Sequence, residues 1–389
     1  MSIVDFSYGP PVLKRICLLA AAVVAVCYGV TYHLDLDVYR IGASVLLHGG
    51  DLYGPLPGVD LPFTYPPFAA VLFTPLTLVP LPVVGAVITV ISLGCLALVL
   101  RTATVSRLWW LVGPAALLFE PARSTLMYGQ INLALMALVV VDCLAVSPRW
   151  PRGLLIGLAA AIKLTPAVFV LYLLLRRDFR AAAVSAVTFV LVAGFGFLVS
   201  WRASVEYWTR LVFDSSRVGG SAFTTNQSIK GVLARYGLDH QTWLWALLAG
   251  TVVALGAIGI HRAISARQHV RAVALTGLVG LLVSPVSWSH HWVWAVLLVL
   301  GLRRRVLAAL LFAIGPFWLL PQSDNRELLW TPWQQLLGNS YVWFGVALVL
   351  VEAVRGQYDH RRASNPSDGP AVGRGAHGLR HIESEHTSG

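Results

Sequence analysis

The chain has 389 residues, of which 57% are hydrophobic and only 12% charged, with a mean hydropathy of +0.71. Soluble domains carry about 25% charged residues, so this composition excludes a soluble enzyme and indicates a chain integral to a membrane. The formal net charge of +11 is not a nucleic-acid signature here, because the arginines sit in short loops between apolar stretches, where the positive-inside rule puts them.

Residues 1–12 read as a cytoplasmic N-terminus, and Lys14 and Arg15 precede a first apolar span at 16–32. That span has no Ala-x-Ala cleavage pattern, and Val26 before Cys27 is not the small residue a lipobox needs, so a retained anchor is expected. A polar segment, 33–66, follows. The next apolar stretch, 68–79, is punctuated by Pro66, Pro67, Pro75, Pro80 and Pro82 and reads equally as a span or a re-entrant segment. Further spans are predicted at 83–100, 108–119, 132–146, 153–162, 166–175, 181–200, 242–260, 271–286, 292–302, 305–320 and 341–354, several of them short of the roughly 20 residues that cross a bilayer. The fold class is therefore all-α and polytopic, with about ten to twelve transmembrane helices within residues 13–355. Residues 356–389 are rich in Gly, Ser, Arg and His, lack apolar periodicity and read as a disordered cytoplasmic tail.

Arg101 and Arg107, Arg149 and Arg152, Arg176, Arg177 and Arg180, Arg262, Arg267 and Arg271, Arg303 to Arg305, and Arg355, Arg361 and Arg362 mark the cytoplasmic loops. This assignment alternates consistently only if 153–175 forms a hairpin with its apex at Lys163 to Pro166. The opposite face then receives 33–66, 120–130, the Lys163 apex, 201–240, 284–291 and 321–340. Polar sequence gathered on one side implies that the protein works there. Cys17, Cys27, Cys95 and Cys143 lie in apolar segments without metal or disulfide spacing and read as small core residues.

Acids are scarce, only 18 in all, which draws attention to Asp35 and Asp37. An extended backbone puts them on one face; a helix separates them by about 200°. A carboxylate at the interface can deprotonate an attacking hydroxyl or bind a metal, against the plain alternative of a solvated loop acid. In the run from Ser284 to Trp294, the tryptophans suit an aromatic belt, which does not account for His290 and His291. Imidazoles there can act as a base or as donors to a phosphate or a sugar hydroxyl. Two adjacent histidines do not specify zinc. Lys163, the only lysine between Lys14 and Lys230, either snorkels or faces a site, where its charge would suit a phosphate leaving group. Arg123, Arg217 and Arg235 are alternatives on the same face. Gln130, Asn132, Asn226 and Gln227 can recognise sugar hydroxyls or cap helices, and Glu206, Tyr207 and Trp208 add a carboxylate and stacking faces.

Five ordered motifs carry a resemblance: Asp-Leu-x-Val-Tyr at 35–39, Leu-Pro-Phe-Thr-Tyr-Pro-Pro at 61–67, Gly-Gln-Ile-Asn at 129–132, Lys-Leu-Thr-Pro at 163–166 and Ser-Pro-Val-Ser-Trp-x-His-His-Trp-Val-Trp at 284–294. The chain resembles the polyprenyl-phosphomannose-dependent α-(1→2)-mannosyltransferases of actinobacteria, glycosyltransferase family 87 of the GT-C class. The resemblance implies a GT-C-type bundle in the cell membrane with its active site on the outer, periplasmic face. It also implies inverting transfer of mannose from polyprenyl-phospho-β-mannose to a 2-hydroxyl of a mannose in lipomannan, lipoarabinomannan or phosphatidylinositol mannosides. The run 284–294 and Trp150 to Gly153 look closest to the lipomannan and lipoarabinomannan branch. Asp35 falls on the family's catalytic aspartate, the family's functional histidine falls on His290 or His291, and Asp37 has a supporting role. Tyr39, Tyr65, Gln130, Asn132, Lys163, Asn226, Gln227 and Trp288 are expected to bind substrate. No cofactor and no metal are demanded, because cations and hydrogen bonds can meet the leaving-group charge. The partners implied are the lipid-linked donor, a lipid-linked mannoside acceptor and membrane lipids. An arabinosyltransferase is the nearest alternative. A secondary transporter is the alternative from another class, although no inverted repeat of broken spans is evident.

Overall fold

Apolar runs with no proline in their interiors give three helices long enough to cross a bilayer among the described residues: Leu81–Ala103, Phe179–Val199 and Thr242–Ser265. They coincide with the spans predicted at 83–100, 181–200 and 242–260. A computed structural model describes residues 33–104, 109–302 and 305–364, with a few helical positions between 15 and 27. Most of the first predicted span, together with Cys17, Arg107, Arg303, Arg304 and 365–389, lies outside the described residues.

In chain order the helices are α1 (Leu34–Leu47), α2 (Pro67–Phe73), α3 (Leu81–Ala103), α4 (Trp109–Ala116), α5 (Glu120–Met127), α6 (Asn132–Leu144), α7 (Leu154–Ile162), α8 (Phe169–Leu175) and α9 (Phe179–Val199). They continue with α10 (Trp201–Thr209), α11 (Ile229–Arg235), α12 (Thr242–Ser265), α13 (His269–Val283), α14 (Ala295–Gly301), α15 (Val306–Ile314), α16 (Pro332–Gly338) and α17 (Ser340–Ser364). Short 3₁₀ segments join several of them, among them Thr165–Val168, Ser289–Trp294 and Pro316–Leu319. The described residues through Ala353 form one compact unit and those from Val354 a second. Helix α17 runs to Ser364, past Gly356, where the tail is expected to begin.

The segment 68–79 is helical, α2 followed by a 3₁₀ turn, and packs on α1. Helix α16 and Ser340–Val354 are long and apolar enough to cross a bilayer only together, and meet at a 70° bend. Trp333 and Leu336 on α16 are exposed, as expected of a short helix lying in the membrane interface. The α9 side chains Val190, Leu191 and Leu198 are likewise exposed and apolar, the face a span turns to lipid. Cys143 is buried and Cys95 partly buried, whereas Cys27 is exposed rather than in a core.

Between the long spans lie shorter apolar helices, including α6, α13 and Ser289–Gly301. Interrupted helices are stable at membrane depth only where they line a cavity or bury their ends in protein. The α6–α7 junction shows how. The Asp142 carboxylate, wholly buried, accepts from Trp150 Nε1 at 3.0 Å and from the amides of Gly153 and Ile156 at 2.9 and 3.0 Å. Arg152 donates to the carbonyls of Asp142, Cys143 and Ala145, satisfying the open C-terminal end of α6. The start of α7 is thereby fixed, and its far end delivers Lys163, an extended residue at φ −147°, ψ 127°.

Helix α7 packs closely on α9. A Cβ at Gly157 would lie 2.3 Å from the Ser185 carbonyl oxygen, so the two backbones touch through a glycine, as small residues allow in membrane bundles. Gly157→Ala is therefore expected to cost about 1–3 kcal/mol through forced separation of the helices. Gly94→Ala, which meets nothing within 4 Å, is expected to be neutral. Thermal unfolding of the detergent-purified variants checks this; equal midpoints would contradict it.

Candidate active site

All six polar segments assigned to one face contribute to the wall of a single cavity of about 1180 Å³. Its lining includes Asp35, Tyr39, Tyr65, Tyr128, Gln130, Lys163, Tyr207, Arg217, Trp288, His290, His291 and Glu327. Asn132 is not on this wall. It lines, with Lys163 and His291, a second space of about 50 Å³ whose other walls include Leu135, Met136, Phe169, Leu281 and Trp294.

Because α1 starts at Leu34, both aspartates fall in its first turn and diverge. Asp35 faces the cavity and is half-buried; this burial pushes its carboxyl above the usual range, opposed by a hydrogen bond with Gln130 and by the Lys163 charge. Asp37 lies off the cavity and pairs at 3.6 Å with Arg40, whose guanidinium also donates to the carbonyls of Leu76 and Val79. Gly129 makes the approach of Gln130 feasible: it has φ +67°, and a Cβ there would lie 2.6 Å from that of Leu36. The Leu36 amide can then donate to the Tyr128 carbonyl at 3.2 Å. Tyr39 and Tyr65 donate to Gln130 Oε1 at 2.7 and 3.0 Å, and their hydroxyls are 2.7 Å apart. With its oxygen so occupied, Gln130 has only its NH₂ for the Asp35 carboxylate.

The cationic pole is Lys163. Its Nζ donates to Asn132 Oδ1 at 3.1 Å, to Tyr65 O–H at 3.3 Å and to His291 Nε2 at 3.0 Å. Burial lowers this ammonium to about 8, with the Asp35 charge acting to raise it. The backbone of the histidine pair is fixed at the His290 carbonyl, which accepts from Asn132 Nδ2 and Thr125 Oγ1, each at 2.9 Å. The His290 ring packs edge-on to Tyr128, and its buried Nε2 has no protein partner among the described residues.

Asn226 and Gln227 are wholly buried and absent from the cavity wall. Asn226 Oδ1 accepts from the Ser287 amide at 3.0 Å, and Gln227 donates its amide to the Ser287 carbonyl at 2.8 Å and its Nε2 to the Gly338 carbonyl at 2.7 Å. Trp292 Nε1 donates to the Gln227 carbonyl at 3.1 Å. These amides hold the segment 284–292 against the outer loops, and so place Trp288 on the wall beside Phe223, with ring centroids 6.2 Å apart. Of the alternative cations, Arg235 is buried and spends its donors on Asn339 and on the carbonyls of Ala222, Phe223 and Asn226. Arg123 donates to the carbonyls of Leu118 and Ala313. Arg217 does line the cavity and donates to the Tyr53 carbonyl at 2.6 Å.

Sequence reasoning passed over Glu120, a carboxylate 2% exposed that accepts from Ser124, Ser289, Trp318 and Tyr341. The scarcity argument that singled out Asp35 applies equally to an acid placed between Phe119 and Pro121. Among the described residues no three His, Cys, Asp or Glu side chains gather as metal ligands.

A helical membrane chain whose polar cavity joins a half-buried carboxylate, a half-buried ammonium, amides and aromatic faces has the build of a membrane-embedded group-transfer enzyme. Glycosyltransferase family 87 matches residues 63–285. The chain is 42% identical, over 82% of its length and 84% of the relative's, to a polyprenol-phosphate-mannose-dependent α-(1-2)-phosphatidylinositol mannoside mannosyltransferase of Mycobacterium tuberculosis. It is 41% identical to the protein of the same description from Mycolicibacterium smegmatis, over 88% and 89% of the two chains. An α-(1->3)-arabinofuranosyltransferase of Corynebacterium glutamicum is 26% identical over 49% of this chain and 45% of its own. No solved structure matches. The chain belongs to glycosyltransferase family 87 and is a membrane glycosyltransferase.

The hydrogen bond from Gln130 holds the Asp35 carboxyl down, so Gln130→Leu is expected to raise the pH at which Asp35 loses its proton. Infrared difference spectra of the carboxyl stretch, with Asp35→Asn to assign it, measure this; an unchanged or lower midpoint would contradict the geometry.

Proposed function

We propose that the enzyme transfers mannose, with inversion, from polyprenyl-phospho-β-mannose to the 2-hydroxyl of a mannose in a phosphatidylinositol mannoside. The observation that carries this reading is the placing of a half-buried carboxylate, Asp35, and a half-buried ammonium, Lys163, on the wall of one cavity. The two ends of a glycosyl phosphate need those two charges. Asp35 takes the proton of the acceptor hydroxyl as that oxygen bonds to C1. The C1–O bond to phosphate breaks, its electron pair leaves on the phosphate, and Lys163 and His291 stabilise the charge there. A single in-line displacement has no covalent intermediate, and the proton finishes on Asp35.

The raised affinity of Asp35 for a proton makes it a stronger base than a solvated aspartate. His290, on the cavity wall, serves sugar hydroxyls, and Trp288, Tyr39, Tyr65 and Gln130 shape the sugar site. Asn132 orients Lys163 and the histidine pair. Asp37, through Arg40, and Asn226 and Gln227, through the 284–292 segment, act by bracing rather than by touching substrate. The small space beyond Lys163 has walls apolar enough for the first isoprene carbons. The whole reading places residues 13–355 in a bundle of about ten to twelve crossings with the cavity at the periplasmic face, residues 1–12 and the tail being cytoplasmic.

The relatives described above are named for phosphatidylinositol mannosides, which draws the proposal away from the lipomannan branch that the motifs suggest. Their identity and coverage also favour mannose over arabinose, for which the similarity is weaker and spans half the chain. Membership of a glycosyltransferase family replaces the transporter reading.

Membranes containing the protein, given radiolabelled polyprenyl-phosphomannose and a short phosphatidylinositol mannoside, are expected to form an α-(1→2) mannosyl product. Transfer from a polyprenyl-phospho-arabinose donor only, or no transfer from either, would overturn the proposal. In the same assay Asp35→Asn is expected to reduce turnover about 100-fold or more, the range of a lost general base.

The pH profile should be bell-shaped. Activity rises as Asp35 deprotonates, above the usual aspartate range, and falls as Lys163 loses its proton near 8. Lys163→Arg is expected to extend the alkaline limb upward, because guanidinium stays charged. An unchanged limb in that variant would remove Lys163 from the phosphate pole.

A further inference from the structure

We propose that Glu120 is a positioning residue for the transfer reaction, holding both the histidine pair and the outer cavity wall in register. The inference rests on the proposed function for its reaction, but its geometry stands apart from it. Glu120 Oε1 accepts from Ser124 Oγ at 2.6 Å, Ser289 Oγ at 2.7 Å and Trp318 Nε1 at 3.1 Å, and Oε2 accepts from Tyr341 O–H at 3.3 Å. Ser289 and Trp318 line the cavity. Ser124 and Tyr341 belong to α5 and α17, behind the wall. The carboxylate is thus a hub that ties two wall residues from different segments to the scaffold.

Ser289 immediately precedes His290 and His291 in a 3₁₀ segment, Ser289–Trp294, that is non-helical at Trp292. A 3₁₀ turn has poorer internal hydrogen bonding than an α-helix and relies more on outside anchors. Helix α5 supplies two, Glu120 to the Ser289 hydroxyl and Thr125 to the His290 carbonyl. The Trp318 indole is brought in by Gly315, at φ +60°, where a Cβ would stand 3.0 Å from Glu120 Cγ and 3.2 Å from Trp318 Cδ1. Among the described residues Glu120 has no ion-pair partner. A buried carboxylate served only by neutral donors is a poor means of gaining stability compared with an apolar residue of similar size. Its distinctive capacity is to accept several bonds at once and so fix the direction of each donor.

Glu120→Ala is expected to reduce single-turnover transfer at saturating donor 10-fold or more in protein that still purifies as a folded monodisperse species. Ser289→Ala and Trp318→Phe, which each remove one wall donor and keep the carboxylate, should each reproduce part of that loss. Combining either with Glu120→Ala should add little. Glu120→Gln should stay within about threefold of wild type, because the two lone pairs of its oxygen can keep both wall donors, Ser289 and Trp318, and the Tyr341 hydroxyl can turn to accept from its NH₂. A merely structural role would lower the thermal midpoint while leaving the single-turnover rate of the folded fraction unchanged, and that result would overturn the proposal. So would full additivity in the double variants. If wild-type protein transfers no mannose, the functional reading fails by itself. The geometric claim is then decided by the ¹⁹F resonance of 5-fluorotryptophan at position 318, assigned with Trp318→Phe, which must shift in Glu120→Ala and hold in Glu120→Gln.

Discussion

Holding a carboxylate and an ammonium, each half-buried, on one cavity wall is the constraint on which the rest of this structure depends. Each charge loses part of its hydration, and among the described residues neither forms a direct ion pair that would return it. The protein substitutes a relay of neutral groups: Gln130 between Asp35 and the two tyrosines, Tyr65 between Gln130 and Lys163, Asn132 and His291 on the far side of the ammonium. The outcome is a base that holds its proton more tightly than usual and an acid that releases it more readily. Enzymes that move protons near neutral pH use that convergence.

The irregular helices follow from the same requirement. An unbroken span presents side chains to its neighbours and few free backbone groups, whereas Lys163, Gln130 and the histidine pair all occupy chain breaks, after α7, between α5 and α6, and in the 3₁₀ segment before α14. Each break exposes backbone donors and acceptors that must be satisfied. Asp142 and Arg152 do so at the α6–α7 junction, Thr125 and Asn132 at His290, and Gln227 at Ser287. Polar residues beside and behind the cavity thus maintain its shape, and three regular spans can turn their apolar faces to lipid undisturbed.

Much of this was legible in the sequence, for reasons that vary by residue. Scarcity and one-sidedness marked Asp35, Lys163 and the histidine pair, because a charge in an apolar chain is rarely incidental, and the polar segments placed on one face do converge on one cavity. The long spans were readable from unbroken hydropathy. Short helices such as α6 and α13 were not distinguishable from full crossings, since composition reports burial in lipid and burial in protein alike. Asp37 illustrates a decision made by secondary structure: the helix beginning at Leu34 turns it toward Arg40. Asn226 and Gln227 have the right chemistry for a sugar, yet their hydrogen bonds go to carbonyls and amides of distant loops, pairings no local pattern reveals. Glu120 collects its donors from positions 124, 289, 318 and 341, and only the tertiary fold brings those together.

The central claim is that Asp35 and the Lys163–His291 pair serve opposite ends of one glycosyl transfer. The most direct test is a structure of the enzyme with a non-cleavable polyprenyl-phosphonomannose and a mannoside acceptor bound. The account predicts the phosphonate within hydrogen-bond distance of Lys163 Nζ and the acceptor 2-hydroxyl against the Asp35 carboxylate, on the face of C1 opposite the leaving group. A phosphonate held at Arg217, with Asp35 remote from any acceptor hydroxyl, would contradict it.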